Sequence, residues 1–288
     1  RSCRPPSGLP VCWCNGGNNF VRAGGLTEKT LDSGVTAAGA LYTIGYDRRF
    51  PLFAITLSVI GSRVQIMSDT LYVAFPASET LCQRIDAFLA KMRDDPSGNH
   101  AADLDGITDP FIDEVLHTYF TGPIEAVNAR GTAVNMIMGA MKVIQKAAHG
   151  LAGRLMRKAS VEEQQALAQH FSSLRLEKDG GVFVGYPLPA DLAERANQVF
   201  ESFANGEGEM AQLVEVMHGI TDGAIENYLD KTLGSLKLGA INRGLVSTAR
   251  ATINKASASA VDKGLPAMER SHRKPVVAYY QSLLHRFG

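Results

Sequence analysis

The fold of this chain is decided by residues 132–158, which read TAVNMIMGAMKVIQKAAHGLAGRLMRK. The apolar residues recur at steps of three and four, the period of one face of an α-helix. They are Val134, Ile137, Met138, Met141, Ile144, Ala148, Leu151, Ala152, Leu155 and Met156, and the arc widens further with Met136, Ala140, Val143 and Ala147. The pattern predicts a helix of about 27 residues at the centre of a multi-helix bundle, covered by neighbours on most sides.

A narrow polar stripe remains on this helix. It consists of Asn135, Gly139, Lys142, Lys146, His149, Gly153 and Arg157. Between Ala126 and Val161 there are six basic residues and no acidic one, a pattern that also suits a surface-active helix on anionic lipid. A transmembrane span is excluded, because Lys142 and Lys146 would lie near the middle of the bilayer.

The charges of this stripe have two alternative partners. If Lys142, Lys146 and Arg157 face solvent, they can hold anionic headgroups at about 1 kcal/mol per basic residue. If they face the acidic segment Asp103–Asp113, the charges are matched within the chain. We expect the second arrangement, because a helix with so wide an apolar arc is most easily buried inside its own chain.

The overall composition is that of an ordinary soluble globular protein. The chain is 45% hydrophobic and 20% charged, and its net charge is zero. Three of the four cysteines lie within the first 14 residues, so they do not form a disulfide framework for the body of the protein. We expect a cytoplasmic protein, either free or peripheral to the inner face of a membrane.

Residues 1–66 differ in character from the rest. They show no sustained period, and prolines and glycines interrupt short apolar pieces. Met67 is the first methionine, and clear strand and helix patterns follow it. We therefore expect residues 1–66 to be a poorly ordered leader outside the native protein, an upstream translation or fusion remnant. Residues 67–288 then form one helical domain. The alternative is that the leader is a truncated preceding domain.

Capping and turn residues place the other elements. Leu71–Phe75 is a β-prone piece, and Ser78 caps a helix that ends before a polar loop over residues 96–106. Ser160 opens a capping box, which starts a new helix. The turn residues after that helix predict one small β-hairpin near residues 174–184. In total the sequence predicts an all-α fold of about eight helices with this single hairpin.

Prolines are used to place helix boundaries. Asp109 as N-cap and Pro110 as the first helical residue open a short helix. Gly122 and Pro123 then end it. Near the end of the chain, Pro275 is expected to begin the last helix.

Two Glu-x-x-His motifs suggest a metal site. They are Glu114 with His117 and Glu215 with His218. Di-iron proteins built from helical bundles use this spacing twice, to aim a carboxylate and an imidazole at iron or manganese. Both pairs lie opposite the apolar faces of their predicted helices, so a solvated surface is the simpler interpretation.

A nucleic-acid interface is a further alternative. The helix after Ser160 and the hairpin that follows it resemble a winged helix in outline, but Glu162 and Glu163 would lie where phosphates should bind. A cluster formed by Arg270, His272, Arg273 and Lys274 is a candidate anion contact, although a solvated loop between helices is the simpler interpretation.

The sequence favours a non-catalytic helical protein that binds a protein partner or an anionic membrane surface. The candidate contacts are Lys142, Lys146, Arg157, Arg270, Arg273 and Lys274, and no cofactor or catalytic residue is assigned. The second hypothesis is a metal-dependent enzyme with iron or manganese at the Glu-x-x-His motifs. The third is a winged-helix nucleic-acid binder. Self-association is compatible with each of them.

Overall fold

The computed structural model describes residues 70–287. In that range eight helices pack with a small four-stranded antiparallel sheet, which confirms the predicted all-α bundle of about eight helices. The leader predicted over residues 1–66 lies outside the described residues.

Several helical segments follow one another without a break, so that ten segments make up the eight helices. In chain order the segments are α1 Glu79–Asp94, α2 Ala101–Leu116, α3 Gly122–Ala126, α4 Thr132–Leu155, α5 Val161–Leu174, α6 Ala190–Asn205, α7 Met210–Ala224, α8 Lys231–Gly234, α9 Ala240–Ser259 and α10 Arg270–Ser282. The first π-helical turn, His117–Thr121, joins α2 to α3, and the second, Ile225–Asp230, joins α7 to α8. The third, Ala260–Gly264, extends α9, and a 3-10 turn, Met156–Lys158, extends α4.

The four strands form one sheet in the order β2-β3-β1-β4. They are β1 Leu71–Pro76, β2 Arg175–Lys178, β3 Gly181–Pro187 and β4 Leu284–Arg286. The predicted hairpin is confirmed as β2 and β3. Its turn holds Asp179 at φ 52° and Gly180 at φ 79°, as a tight hairpin requires. Because β1 pairs with both β3 and β4, the sheet connects the two ends of the described range.

The long helix forms where it is predicted, as α4 and its 3-10 extension. Its inner side is buried at Ile137, Ile144 and Leu151, which face the other helices. The exposed stripe is wider than expected, because Met136 is 43% exposed and Val143 is 46% exposed. The bundle therefore covers less of α4 than the apolar arc suggests.

The start of α2 differs from the prediction. The helix begins at Ala101, inside the segment expected to be a loop, and Pro110 lies in its middle. Proline has no N–H for the carbonyl four residues earlier, which belongs to Gly106. The guanidinium of Arg84 in α1 donates a hydrogen bond to that carbonyl instead. Packing of α1 against α2 thus compensates for a residue that usually breaks a helix.

The end of the chain needs a similar correction. The last helix begins at Arg270, so Pro275 lies inside α10 rather than at its start. The chain then leaves the helix, and His285 and Arg286 pair with β1 as part of β4. These residues are extended rather than helical because they pair with β1, a strand that is distant in sequence.

Candidate functional site

A cavity of about 160 Å³ lies between the helices, and we take it as the candidate site. Side chains from α2, α4, α5, α7, α8, α9 and α10 form its wall. The lining is mainly aliphatic and aromatic, and its polar members are hydroxyls. No Asp, Glu, His, Lys, Arg or Cys side chain of residues 70–287 lines it. A wall of this kind suits a small, mainly apolar molecule.

The cavity lies between two clusters of buried apolar side chains. The smaller cluster consists of Leu116, Ile144, Ile253 and Ala256, whereas Tyr228 belongs to the large main core. Side chains of both clusters line the cavity, so packing does not fill the space between them. Protein interiors are normally close-packed, which makes this space unusual.

All three π-helical turns contribute to the cavity wall. Tyr119 and Phe120 come from the first turn, Ile225 and Tyr228 from the second, and Val261 from the third. A π turn is usually a single-turn bulge inside an α-helix, and such bulges are frequent at functional sites. Their convergence makes the cavity the most distinctive place in the described part of the chain.

The first π turn explains why Gly122 and Pro123 do not end the helix. The N–H of Gly122 donates to the carbonyl of His117, five residues earlier rather than four. A wider turn of this kind accommodates a proline that a regular α-helix would exclude. The helix therefore continues to Ala126.

Two tyrosines of α10 complete this turn. Pro123 cannot donate to the carbonyls of Thr118 and Tyr119, which lie five and four residues before it. The hydroxyl of Tyr279 donates to the Thr118 carbonyl over 3.1 Å, and that of Tyr280 donates to the Tyr119 carbonyl over 2.9 Å. The two hydroxyls thus supply donors at the point where Pro123 has none.

Side chains from neighbouring helices also hold the other two π turns. Nε2 of His170 in α5 donates to the carbonyl of Asn227 over 2.9 Å. Burial lowers the pKa of His170, which keeps its ring neutral. Nε2 of His218 in α7 donates to Asp262 of the third turn over 2.6 Å. Each π turn is thus connected to another helix by a hydrogen bond.

Three buried tyrosines meet beside the cavity. The hydroxyl of Tyr186 donates to the carbonyl of Ile220 over 2.6 Å, and that of Tyr119 donates to the Tyr186 oxygen over a long 3.5 Å. Burial raises the pKa of Tyr119, Tyr186 and Tyr228, so all three remain neutral phenols. The hydroxyl of Tyr228 makes no hydrogen bond of normal geometry among the described residues, although it lies close enough to the Tyr119 hydroxyl for that group to contribute to its raised pKa.

The residues of the Glu-x-x-His motifs are engaged elsewhere. Glu114 accepts from Ser78, His117 is hydrogen-bonded to Thr121, Glu215 accepts from Arg195, and His218 donates to Asp262. Within residues 70–287, no three His, Cys, Asp or Glu side chains form a group that could hold a metal ion. The structure does not bring the two motifs together.

The basic stripe of α4 divides into two parts. Arg157 pairs with Asp105 of α2, with 3.2 Å between nitrogen and oxygen. Lys142 and Lys146 are exposed and form no ion pair within the described range. We define the outer face of α4 as Met136, Lys142, Val143, Lys146 and Arg154, all of which are exposed. This face carries positive charge without an acidic residue.

The acidic segment of α2 faces α4 as expected, but two of its carboxylates pair with His149 rather than with Lys142 or Lys146. Nδ1 of His149 donates to Asp109 over 2.7 Å, and Nε2 donates to Asp113 over 2.9 Å. Both carboxylates accept, so this geometry belongs to the doubly protonated ring. Partial burial lowers the pKa of His149, but the bonds to the two carboxylates outweigh it, and the net pKa is raised.

The basic residues predicted as a cluster near the last helix have different environments. Arg273 donates to the carbonyls of Met268 and Pro266, both over 3.2 Å, and so closes the loop before α10. Arg270 and Lys274 are exposed and have no ion pair within the described range.

The capping box at the start of α5 is confirmed. The Ser160 N–H donates to the Glu163 side chain, and the Glu163 N–H donates to the Ser160 hydroxyl. Glu163 also accepts from the N–H of Lys237. The hairpin after α5 is part of the sheet, since β3 pairs with β1 on its other side. The hairpin is therefore not a free wing.

Sequence reasoning missed the cavity, because its wall consists of residues that ordinary apolar stripes would also contain. The only local signal is Gly122 with Pro123 in the middle of a helix. No protein-family model, curated protein or solved structure matches this chain. Within residues 70–287, each helix is too short or too polar to span a lipid bilayer.

Proposed function

We propose that this protein is a non-catalytic helical binding protein that holds a small apolar molecule in the cavity between its helices. The observation that carries this proposal is the cavity itself, an apolar space of about 160 Å³. Apolar cavities of about 150 Å³ stay dry and bind benzene or xenon. The volume therefore suits a ligand of about one aromatic ring.

Energetics support this proposal. Filling apolar cavity volume stabilises a protein, because lining atoms without contact partners cost about 24 cal/mol per Å³. A folded domain is stable by only about 5–15 kcal/mol in total. A molecule that fills this cavity should therefore raise the stability of the protein measurably.

The chemistry of the wall favours binding over catalysis. A hydroxyl group becomes an effective nucleophile only beside a base such as His, Asp, Glu or Lys. The described wall offers hydroxyl groups and apolar surface without such a neighbour. Such a wall recognises a ligand mainly through its shape and the water it displaces.

Benzene is a direct probe of this function. We expect it to raise the Tm of the protein in a concentration-dependent way, because a ligand that binds only the folded state stabilises it. Ala152→Leu should fill part of the cavity and weaken benzene binding at least about 10-fold, or by 1.4 kcal/mol. Ala251→Leu makes the same change at an exposed position of α9 and should bind benzene normally. A Tm that benzene does not change would refute the proposal.

A second candidate function rests on a separate observation. The outer face of α4 combines unpaired Lys142 and Lys146 with exposed Met136 and Val143. We propose that this face binds an anionic membrane surface, with the lysines at the headgroups and the two apolar side chains between them. The inner face of the same helix lines the cavity, so both functions can operate together.

A further inference from the structure

The large apolar side chains that are exposed within residues 70–287 all lie on two helices. They are Met136 and Val143 on α4 and Ile241 on α9, and Ile241 is the most exposed of them, at 80%. Single exposed apolar residues are common on protein surfaces and need no explanation. A set that is confined to one pair of helices points instead to an interaction surface.

The two helices pack against each other in opposite directions. Gly264, just after α9, lies against Ile137 near the start of α4, since a Cβ at position 264 would be 2.5 Å from the Ile137 side chain. Further along α4, Ile144 belongs to the same small buried cluster as Ile253 and Ala256 of α9. Later residues of α4 therefore lie beside earlier residues of α9.

The exposed sides of α4 and α9 point away from this shared cluster, so they form one continuous surface. Ile241 and Lys255 are separated by about four helical turns and therefore lie on the same side of α9. The antiparallel packing places Lys255 level with Val143 and Lys146. At a rise of 1.5 Å per residue, Met136 and Ile241 lie about 30 Å apart along the pair. We define the α4–α9 face as the outer face of α4 together with Ile241 and Lys255.

The α4–α9 face carries charge of one sign. Neither α4 nor α9 contains an acidic residue. The bases Lys142, Lys146, Arg154 and Lys255 are exposed and form no ion pair within the described range. Positive charge is thus distributed over both helices, between the exposed apolar side chains.

Neighbouring acidic residues are engaged by other bases. The pairs are Asp105 with Arg157, Asp109 and Asp113 with His149, Asp230 with Arg250, and Asp262 with His218. These contacts hold the carboxylates that flank the two helices, so the exposed bases of the α4–α9 face are left for a partner outside the described part of the chain.

From this combination we infer that α4 and α9 together form one face that docks flat on an anionic lipid bilayer, with Ile241 as its main apolar anchor. The inference rests on the second candidate function, since it extends the outer face of α4 to a second helix. An anionic bilayer offers negative headgroups with hydrocarbon just below them, and so complements both the bases and the apolar side chains. A nucleic acid backbone would complement the bases alone.

Titration with vesicles of phosphatidylserine and phosphatidylcholine tests this inference, because the two substitutions on α9 should act differently. Ile241→Ser should weaken binding about 10-fold and leave its salt dependence unchanged, since it removes only apolar contact. Lys255→Glu should weaken binding at least about 10-fold and also reduce the salt dependence. Both side chains are exposed, so the Tm without lipid should stay at the wild-type value.

Each substitution has a matched control. Ile241→Leu keeps the apolar area and should bind vesicles as the wild type does. Lys274→Glu makes the same charge change on α10, at an exposed residue that also has no ion pair within the described range, and should bind within about 3-fold of the wild type. Equal losses in Lys255→Glu and Lys274→Glu would show that total charge, and not the α4–α9 face, controls binding.

The outcomes separate this inference from the function on which it rests. If Lys142→Glu with Lys146→Glu abolishes binding but both variants of α9 bind normally, α4 binds the membrane alone and the inference is wrong. If the wild type binds no anionic vesicles, both proposals fail. A lipid-free dimer that Ile241→Ser dissociates, without vesicle binding by the wild type, would assign the face to self-association and also overturn the inference.

Discussion

The hydroxyl of Tyr280 donates a 2.9 Å hydrogen bond to the backbone carbonyl of Tyr119, which lies 161 residues earlier in the chain. Pro123, four residues after Tyr119, has no N–H to donate to this carbonyl. The bond therefore connects α10 to the first π turn and to the cavity wall. Long-range donors of this kind explain how the bundle keeps prolines inside its helices.

Removing this donor should destabilise the protein. We expect Tyr280→Phe to lower the free energy of unfolding by about 0.5–1.5 kcal/mol, because it removes a buried hydrogen bond to the Tyr119 carbonyl. Urea denaturation followed by circular dichroism measures the change. Tyr72→Phe is the control, since Tyr72 is only half-buried and its ring packs on Phe287. Equal stability of the two variants would contradict the role of Tyr280.

The glycine at the first π turn should resist substitution. A Cβ at position 122 would overlap the hydroxyl of Tyr279, which must then release the Thr118 carbonyl. Gly122→Ala should therefore destabilise the protein, although alanine favours helices by about 1 kcal/mol over glycine. Gly139→Ala lies in open space on α4 and should be neutral or stabilising. Thermal unfolding of both variants tests the contrast, and a stabilised Gly122→Ala would show that Tyr279 moves without cost.

Arg84 and Pro110 should be energetically coupled. Arg84→Gln leaves the Gly106 carbonyl without its donor and should cost about 0.5–1.5 kcal/mol. In a Pro110→Ala background the new N–H can reach that carbonyl, so the same Arg84 substitution should cost less. A double-mutant cycle of unfolding free energies measures the coupling. Strictly additive effects would rule out this compensation.

His149 should make stability depend on pH. Its pKa is raised in the folded state above the ordinary value of 6.5, mainly by Asp109 and Asp113 acting against partial burial. The folded state therefore binds this proton more tightly than the unfolded chain does. The stabilisation is fully present below pH 6.5 and is lost as the pH rises through the folded pKa. The unfolding free energy should fall between pH 6 and pH 8, a range that includes the ordinary histidine pKa of 6.5, and His149→Gln should reduce this fall. An identical pH profile in the variant would exclude His149 as the cause.

Binding to vesicles tests the outer face of α4. We expect sedimentation with anionic but not neutral vesicles, weakened by salt because screening shortens the range of the attraction. Lys142→Glu with Lys146→Glu should abolish it. Arg270→Glu with Lys274→Glu changes net charge equally on α10, which separates an effect of the α4 face from an effect of total charge. If only the variant with Arg270→Glu and Lys274→Glu loses binding, the membrane-binding surface is on α10 and not on α4.

The location of the candidate site was harder to predict from the sequence than the fold was. The Glu-x-x-His spacing places two side chains on one turn of a helix, yet it cannot show which neighbours compete for them. Glu215 is engaged by Arg195 from another helix, and His218 is engaged by Asp262. Whether two such motifs converge depends on how their helices pack, and the local sequence does not contain that information.

Elements whose stabilising contacts are local can be placed from the sequence alone. The apolar period of α4, the capping box of Ser160 and the turn of Asp179 and Gly180 each act within a few residues, so their patterns are readable. Pro110 and Pro123, by contrast, lie inside helices because contacts from distant parts of the chain, α1 and α10, supply donors that the prolines lack. Tertiary packing also determines the cavity. An apolar period shows which side of a helix is buried, but the separation between opposing helices depends on packing across the whole bundle.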